Sequence, residues 1–450
     1  MIRYMIAMAL CGMTLCGAVA APLSLADAVR NALAHNPEVA AAAQNIKIAD
    51  AKYGQVAAKG RPAVNLDAAY FDLSKQPTMS LPTITIPGLP AITLPGLPLS
   101  SSTISRGALD VTVPLSTGGR VKNGLAQVAE GVAALQAQAE ATRREVAYRV
   151  VCAYLGAIFA QRIAEVADQA STTLQGHLTQ AQALLAHGQI ARYEVIRAES
   201  EVANQQRRQL DAHNQVELAL AYLQDVMGLP KEDTPTLSTD LQGSGPFSRE
   251  LQAAIDSALG ASSTMKALQA RDRLYAAGER SARAEKNPVV AATASKQLYM
   301  DEQPFTTPGL IVGVVMTVPL SDGGLAKAQE AEQAALRERN QSDMRRLENG
   351  IRLEVRKYYL DLQSARKALE AADTTVALAT ESLRLATRRF EEGQGTGLEK
   401  SDAILARSLA ETSRAQAKYQ YDIAYYGMQH ALGTLVPNLT AVEGAHDGRH

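Results

Sequence analysis

The chain has 450 residues, a formal net charge of −1, 4% aromatic residues and no tryptophan. A balanced charge supplies no basic field for a nucleic-acid partner, and so few aromatics do not fill a large globular core. Alanine, glutamine, glutamate and arginine dominate instead, a composition that favours long helices.

The N-terminus carries Arg3, then the apolar run MIAMALCGMTLCGAVA, ending in Ala18-Val19-Ala20. That order describes a secretory signal peptide over 1–20, cut after Ala20. Cys16 follows Leu15, where lipid attachment calls for a small residue, so a lipidated N-terminus is the weaker reading. Beyond the signal only Cys152 remains, which excludes a disulfide framework within one chain and a cysteine-based metal site. The most apolar later segment, 146–160, contains Arg149, so no transmembrane helix is expected. An exported chain of this kind enters a membrane, if it does, with strands.

A short amphipathic helix is expected over 25–35 and a second over 38–59, parted by Asn36-Pro37. Pro62 opens a strand over 63–74. A second strand follows over 107–115, and Pro114 with Gly118 and Gly119 turns it into a long helix. Ser116-Thr117 are positioned to cap that helix. It runs from Val121 to His187, roughly 100 Å at about 1.5 Å per residue. Its apolar positions, Leu125, Val128, Val132, Leu135, Ala139, Thr142 and Val146, alternate steps of three and four. After one stutter Val150, Ala153, Ala157, Ala160, Ala164 and Ala167 continue the pattern. Such spacing packs helices nearly parallel as a coiled coil. Gly188 turns the chain, a second helix returns over 192–227, and Gly228 with Pro230 stops it.

The same order then recurs. VTVPLSTGG returns as MTVPLSDGG, and an offset of 205 residues relates Pro114 to Pro319, Tyr154-Leu155 to Tyr359-Leu360, Gly188-Gln189 to Gly393-Gln394, and Gly228 to Gly433. Upstream the offset is 226, relating Leu25 to Leu251 and Pro62 to Pro288; the difference is a 21-residue insertion in the first copy. A tandem duplication therefore organises the chain. The expected layout is a signal peptide 1–20, a first repeat 21–228 and a linker 229–249. A second repeat 250–433 and a polar tail 434–450 follow. The first repeat holds a β-hairpin over 63–115 and a helical hairpin over 120–228. The second holds a β-hairpin over 289–320 and a helical hairpin over 325–433, turning at Gly393-Gln394-Gly395. Pro62, Pro114, Gly118, Gly119, Pro288, Pro319, Gly323 and Gly324 mark the strand–helix junctions, with Ser321-Asp322 as the second cap.

Leu109, Val111, Val113 and Leu115 alternate with Asp110, Thr112 and Pro114, and Val64, Leu66 and Ala68 alternate with Asn65 and Asp67. In the second copy Val314, Met316, Val318 and Leu320 alternate with Gly313, Val315 and Thr317. One apolar face fits a lipid-facing barrel strand and equally a half-buried soluble sheet. Two hairpins give four strands. Four strands do not close a barrel, and open edges are not tolerated in lipid, so a membrane reading requires several chains to share one barrel. The alternative is a periplasmic coiled-coil adaptor or structural protein without a pore.

The chain resembles the TolC family of outer-membrane efflux proteins (outer membrane factors) over essentially all of its mature length. The resemblance is carried by LADAVRNALAHNPEV, by the VPLSTGGR and VPLSDGG junctions, by the tips HGQIARYEVIRAESEVA and RFEEGQGTGLEKSDAILA, and by the duplication itself. It implies a mainly helical fold with a small β part. Three chains form a helical tunnel joined to a shared twelve-stranded barrel in the outer membrane of a Gram-negative bacterium, with most of the chain in the periplasm. It also implies a homotrimer that meets a periplasmic adaptor and an inner-membrane pump or ABC exporter. The protein is then a passive exit duct for efflux or type I secretion, not an enzyme, and needs no cofactor.

The resemblance places an acidic constriction at Glu399 and Asp402, with Glu194 as the first-repeat counterpart. The spacing puts Glu399 and Asp402 on one helical face, so that a trimer stacks two carboxylate rings, which favour cations and crowd one another. The other reading of these carboxylates is a solvated charged face. Gly188, Gln189, Gly393, Gln394 and Gly395 form the tips that an adaptor meets. The family latch uses a tyrosine and an arginine where this chain has Phe390 and Gly395, so that latch does not carry over; Arg197, which matches Asp402, offers a different ion pair. The histidines His35, His177, His187, His213, His430, His446 and His450 show no ligand spacing, and no P-loop or dinucleotide motif follows a strand.

Overall fold

The computed structural model describes residues 22–75, 78–93, 96–98, 103–229, 235–243, 249–300 and 309–441. The signal peptide, Pro230, His446 and His450 lie outside the described residues. The chain divides into two compact units, and each draws on both sequence repeats. A repeat is thus a unit of sequence but not a unit of packing.

One unit takes residues Gln44–Gln138 and Thr264–Arg346. It holds most of α2 (Pro37–Ala58), nearly all of α6 (Ser263–Ala284) and the first turns of two long helices, α3 (Arg120–Ala186) and α7 (Leu325–Glu391). Its sheet contains β1 (Ala63–Asp72), β4 (Thr103–Ser116), β5 (Val289–Met300) and β6 (Leu310–Thr317), antiparallel in the order β1-β4-β5-β6. Each expected hairpin forms, with Ala63 opposite Thr112 and Val289 opposite Thr317. The pairing of β4 with β5 joins the two repeats into one sheet. β6 ends at Thr317 rather than at 320, because Pro319 has no N–H to give and β5 begins only after Pro288. Pro114 does lie within β4, where the register against β5 shifts between Pro114 and Ser116. The 21-residue insertion makes a small hairpin of its own, with β2 (Thr78–Met79) paired to β3 (Leu97–Pro98). Within it Ile84 and Ile92 form a further antiparallel bridge.

The strand–helix junctions are built locally. Gly118 has φ +61°, and a Cβ there would stand 2.7 Å from the Pro288 carbonyl oxygen, so no other residue fits. Asn287 closes the same corner by donating its side-chain amide to the Gly118 carbonyl at 2.7 Å. In the second repeat Asp322 caps α7, accepting from the Gly324 and Ala326 N–H groups at 3.0 and 2.9 Å. Those bonds hold its carboxyl below the usual range. In the first repeat Thr117 stands where Asp322 does, and the neighbouring Ser116 hydroxyl accepts from the Gly118 N–H at 3.4 Å.

The other unit holds α1 (Leu25–His35), α4 (Arg192–Met227), α5 (Leu251–Ala261), α8 (Gly397–Ala431), α9 (Leu435–Ala441) and the remaining lengths of α3 and α7. Its two largest clusters occupy matching repeat positions. Val29, Val146, Val150, Ala153, Leu223 and Met227 pack in one, and Ile255, Ile351, Val355, Tyr358, Met428 and Leu432 in the other. A stretch of α3 is long and apolar enough to cross a membrane, but most of it is buried, and Val146, Val150 and Ala157 belong to this core. Within the expected stripe Val146, Val150, Ala153, Ala157, Ala164 and Ala167 are buried, whereas Leu125, Val128, Val132 and Leu135 are half-buried in the single chain.

Parts of the expected linker and of the expected polar tail are packed. Within the linker 229–249, residues 235–243 lie along the start of the chain: Leu23 N donates to Thr236 O at 2.7 Å and Ser238 N to Leu23 O at 3.1 Å. Leu241 is buried, and Gln242 and Gly243 donate their N–H groups to Asp422. The polar tail expected from 434 begins with α9, whose Leu435 joins the core. Apolar Leu435, Val436 and Leu439 override the polar character of the residues beyond them.

Candidate functional site

The functional candidates gather where the long helices turn. α3 passes into α4 through residues 187–191, and α7 into α8 through 392–396. Both turns close alike. Gly188 N donates to Leu185 O and Gln189 N to Leu184 O, both at 2.9 Å; Gly393 N donates to Phe390 O at 3.2 Å and Gln394 N to Arg389 O at 2.8 Å. Gly188 and Gly393 both have φ +72° with open space where a Cβ would stand, so the turn itself requires glycine. The helix starts differ. Thr396 accepts from Glu399 N at 3.2 Å, whereas Ala191 offers α4 no side-chain cap.

Glu399 and Asp402 are exposed and Glu194 is half-buried. A Cβ added at Gly397 would stand 3.1 Å from the Glu194 carboxylate, which brings the α4 start against the α8 start. Glu399 lies 3.5 Å from Arg389 across its own turn. Arg197 bonds Glu201 along its own helix at 3.1 Å, and that bond raises its pKa further. Arg197 thus pairs with Glu201 along α4, and the Asp402 charge acts on it as well.

The opposite face of the same helical turn is what sequence reasoning missed. Lys400 and Ser401, next to Glu399, are buried. Lys400 donates to Gln180 Oε1 of α3 at 2.7 Å and stands 5.1 Å above the Phe390 ring. His177 of α3 is buried and meets the same ring edge-on at 5.2 Å. Around them Leu174, Leu178, Val195, Ala198, Val202 and Ile404 make a small apolar core. The repeat held a signal for this. At the 205 offset Lys400 aligns with Val195, a core position, so a lysine there is out of place.

At the other end of the functional question lies the sheet. Val64, Leu66, Leu310, Val312, Val314 and Met316 are exposed on the chain alone. β1 and β6 are its outer strands, each with one unpaired edge. Residues of β6 on both faces, Ile311 and Val315 as well as Val312 and Val314, are apolar and exposed.

Helical hairpins doubled in sequence, joined to an apolar sheet through proline–glycine corners, define an outer-membrane channel subunit. The chain belongs to the outer membrane efflux protein family, whose model matches residues 28–229 and 254–434, one block in each repeat. No curated protein matches it. Among solved structures it is similar to the outer membrane protein VceC of Vibrio cholerae, with 17% identity and TM-score 0.72, covering 91% of this chain and 96% of that one. It is also similar to the Campylobacter jejuni CmeC outer membrane channel, with 14% identity and TM-score 0.76, covering 93% and 89%. The open-state MtrE outer membrane channel of Neisseria gonorrhoeae gives 17% identity and TM-score 0.72, covering 91% and 89%. The protein is thus an outer-membrane efflux channel and not an enzyme. The alternative of a poreless periplasmic adaptor is set aside by the family match.

Proposed function

We propose that three copies of this chain form one duct, each giving four strands to a twelve-stranded barrel, and that the helical tips meet a periplasmic adaptor serving an inner-membrane pump or ABC exporter. The observation that carries this is the four-stranded sheet with two unpaired edges and apolar, exposed faces. A sheet in lipid must close, and β1 of one copy meeting β6 of the next closes it without a new element. Light scattering of the detergent-solubilised protein is expected to give the mass of a trimer. A monomer with its strands intact overturns the shared barrel.

Glu399 and Asp402 face solvent in the single chain, as lumen residues of such a duct do. Their rings are its cation-selective constriction, with Glu194 beside them. Replacing both Glu399 and Asp402 by alanine is expected to raise single-channel conductance and weaken block by divalent cations; no change in either returns them to an ordinary charged surface. Gln189 and Gln394, exposed at the two tips, are the adaptor-facing positions, and photo-crosslinkers placed there are expected to capture the adaptor in cells.

A further inference from the structure

A cavity of about 470 Å³ opens beside the core of the helical unit, and none of the described residues of the sheet or of the helical tips lines it. Its volume falls among those of sites that take small organic molecules, about 300–1,000 Å³. Leu25 of α1 and Leu155 of α3, both buried, make an apolar floor. Asp422, Tyr425 and Tyr426 of α8 stand along one wall, and Asp240 of the segment 235–243 stands at the rim. The repeat makes the α8 residues conspicuous. At the 205 offset they align with Glu217, Leu220 and Ala221 of α4, where the glutamate is exposed and the leucine belongs to the core. Helix packing alone therefore does not call for an inward carboxylate and two tyrosines here.

Asp422 is 4% exposed. Its two oxygens accept the Gln242 and Gly243 N–H groups, and among the described residues it makes no ion pair. Two neutral donors do not replace the hydration of a buried carboxylate. Its pKa is pushed up to about 6, by burial first and by the Asp240 charge as well, while Lys418 of α8 opposes both. Asp240 itself meets Arg162 of α3 at 3.0 Å and accepts from Leu241 N at 2.8 Å. Two like charges thus border one cavity, beside tyrosine rings set edge to face 5.5 Å apart. From α1, α3 and α9 the cavity receives only uncharged side chains.

We propose that this cavity binds an organic ammonium ion with an apolar body of about one ring: the ammonium sits between Asp422 and Asp240 against the tyrosines, and the body lies on Leu25 and Leu155. The cation supplies the counter-charge that Asp422 lacks and relieves its repulsion with Asp240. Tyrosine rings attract a cation at their faces. An anion would meet two carboxylates, and no group of three or more metal-binding side chains occurs among the described residues. The inference goes beyond the exit-duct reading and does not need it, since every described wall comes from one chain. A bound ammonium holds Asp422 ionised. Binding near pH 6, where the empty carboxyl is partly protonated, therefore releases a proton, whereas binding well above that pH releases none.

The test is isothermal titration calorimetry of the purified full chain in detergent, with benzylammonium chloride as probe and benzyl alcohol as its uncharged counterpart. At about pH 7.5, one benzylammonium is expected to bind per chain, at least about tenfold more tightly than the alcohol. Near pH 6, titrations in two buffers of different ionisation enthalpy are expected to reveal the released proton. Asp422→Asn is expected to weaken benzylammonium binding at least about tenfold and to abolish the proton release, with the weak binding of the alcohol unchanged. Asp240→Asn, at the exposed rim, is expected to weaken benzylammonium several-fold and keeps the test decisive if Asp422→Asn does not fold. Absence of saturable binding by the wild type, equal affinity for the alcohol, or wild-type affinity in the folded variants overturns the proposal.

Discussion

At the scale of single residues, contact distances set the tolerances. Gly427 in α8 faces Tyr358 so closely that a Cβ there would stand 2.3 Å from the ring. The ring has no room to retreat, since Tyr358 is 8% exposed and its hydroxyl lies 3.1 Å from that of Tyr148. Gly427→Ala is expected to lower stability by about 1–3 kcal/mol, the usual cost of overpacking. Thermal melting reads it, and Tyr358→Leu in the same chain should recover part of the loss. Asp422 tests burial of a charge. It accepts from Gln242 N at 3.0 Å and Gly243 N at 2.9 Å, but desolvation outweighs those bonds and pushes its pKa up to about 6. A carboxyl raised in the folded state stabilises most when protonated, and that contribution is lost as pH rises through about 6. The melting temperature of wild type minus that of Asp422→Asn should therefore grow as pH falls from about 7 to about 5. A constant difference over that interval would show that Asp422 does not titrate there. Neither contact was legible from sequence. Gly427 and Tyr358 are far apart in the chain, and a lone aspartate in a helical stripe reads as a solvated residue until its neighbours are known.

At the scale of elements, punctuation did most of the work. Pro37, Pro62 and Pro288 stand at boundaries for the same physical reason, a missing N–H and a fixed φ, and the elements they bound begin within a residue of where that chemistry places them. The ends of β1 and β6 were less legible, because a strand stops where its partner stops. Caps give a test that uses one repeat to correct the other. Ala191 precedes α4 with φ −75° and ψ 149°, close to the φ −92° and ψ 157° of Thr396 before α8, yet only Thr396 supplies a capping oxygen. Ala191→Thr should add about 1 kcal/mol to the α4 start and Thr396→Ala should remove about as much from α8. Amide hydrogen exchange over the first turn of each helix reads the two effects separately. Equal protection before and after both substitutions would show that the tip holds these turns regardless of their caps.

At the scale of the whole molecule, the duplication was legible, because matching residues recur at two fixed offsets, 226 and 205, parted by one 21-residue insertion. The sheet order was not. Alternation shows that a strand has an apolar face but not which strand lies beside it, and the β4–β5 pairing depends on tertiary geometry alone. The packing of residues 235–243 and of α9 was hidden for the same reason. The insertion offers the test here. Ile84, Ile86, Leu89 and Ile92 are exposed within it, and the described pairings of β2, β3, Ile84 and Ile92 are made with one another and not with β1 or β4. Removing 84–99 should therefore leave the trimer assembled. If the segment folds over the barrel rim, the deletion raises permeability to large solutes. Unchanged permeability, together with free cleavage of the segment by protease on intact cells, would make it an exposed flap.

The pairing of β4 with β5 also imposes an order in time. β1 finds β4 within the first repeat, so that hairpin forms as soon as residue 116 has left the ribosome and crossed the inner membrane. The other edge of β4 then waits for a partner that begins at Val289, after the whole first helical hairpin has been made. During that interval Val111 and Val113 lie on an open strand edge with no lipid around it, a state that invites pairing with any neighbouring chain. Long-range pairing of this kind is slow, since the intervening chain must be ordered before the contact rewards it. A nascent chain halted before Val289 should accordingly aggregate more readily than one that includes β6, in which the inner edges of β4 and β5 are covered. The hazard of stray pairing therefore falls on strand edges, that of β4 first and those of β1 and β6 until the chains meet, rather than on the long helices.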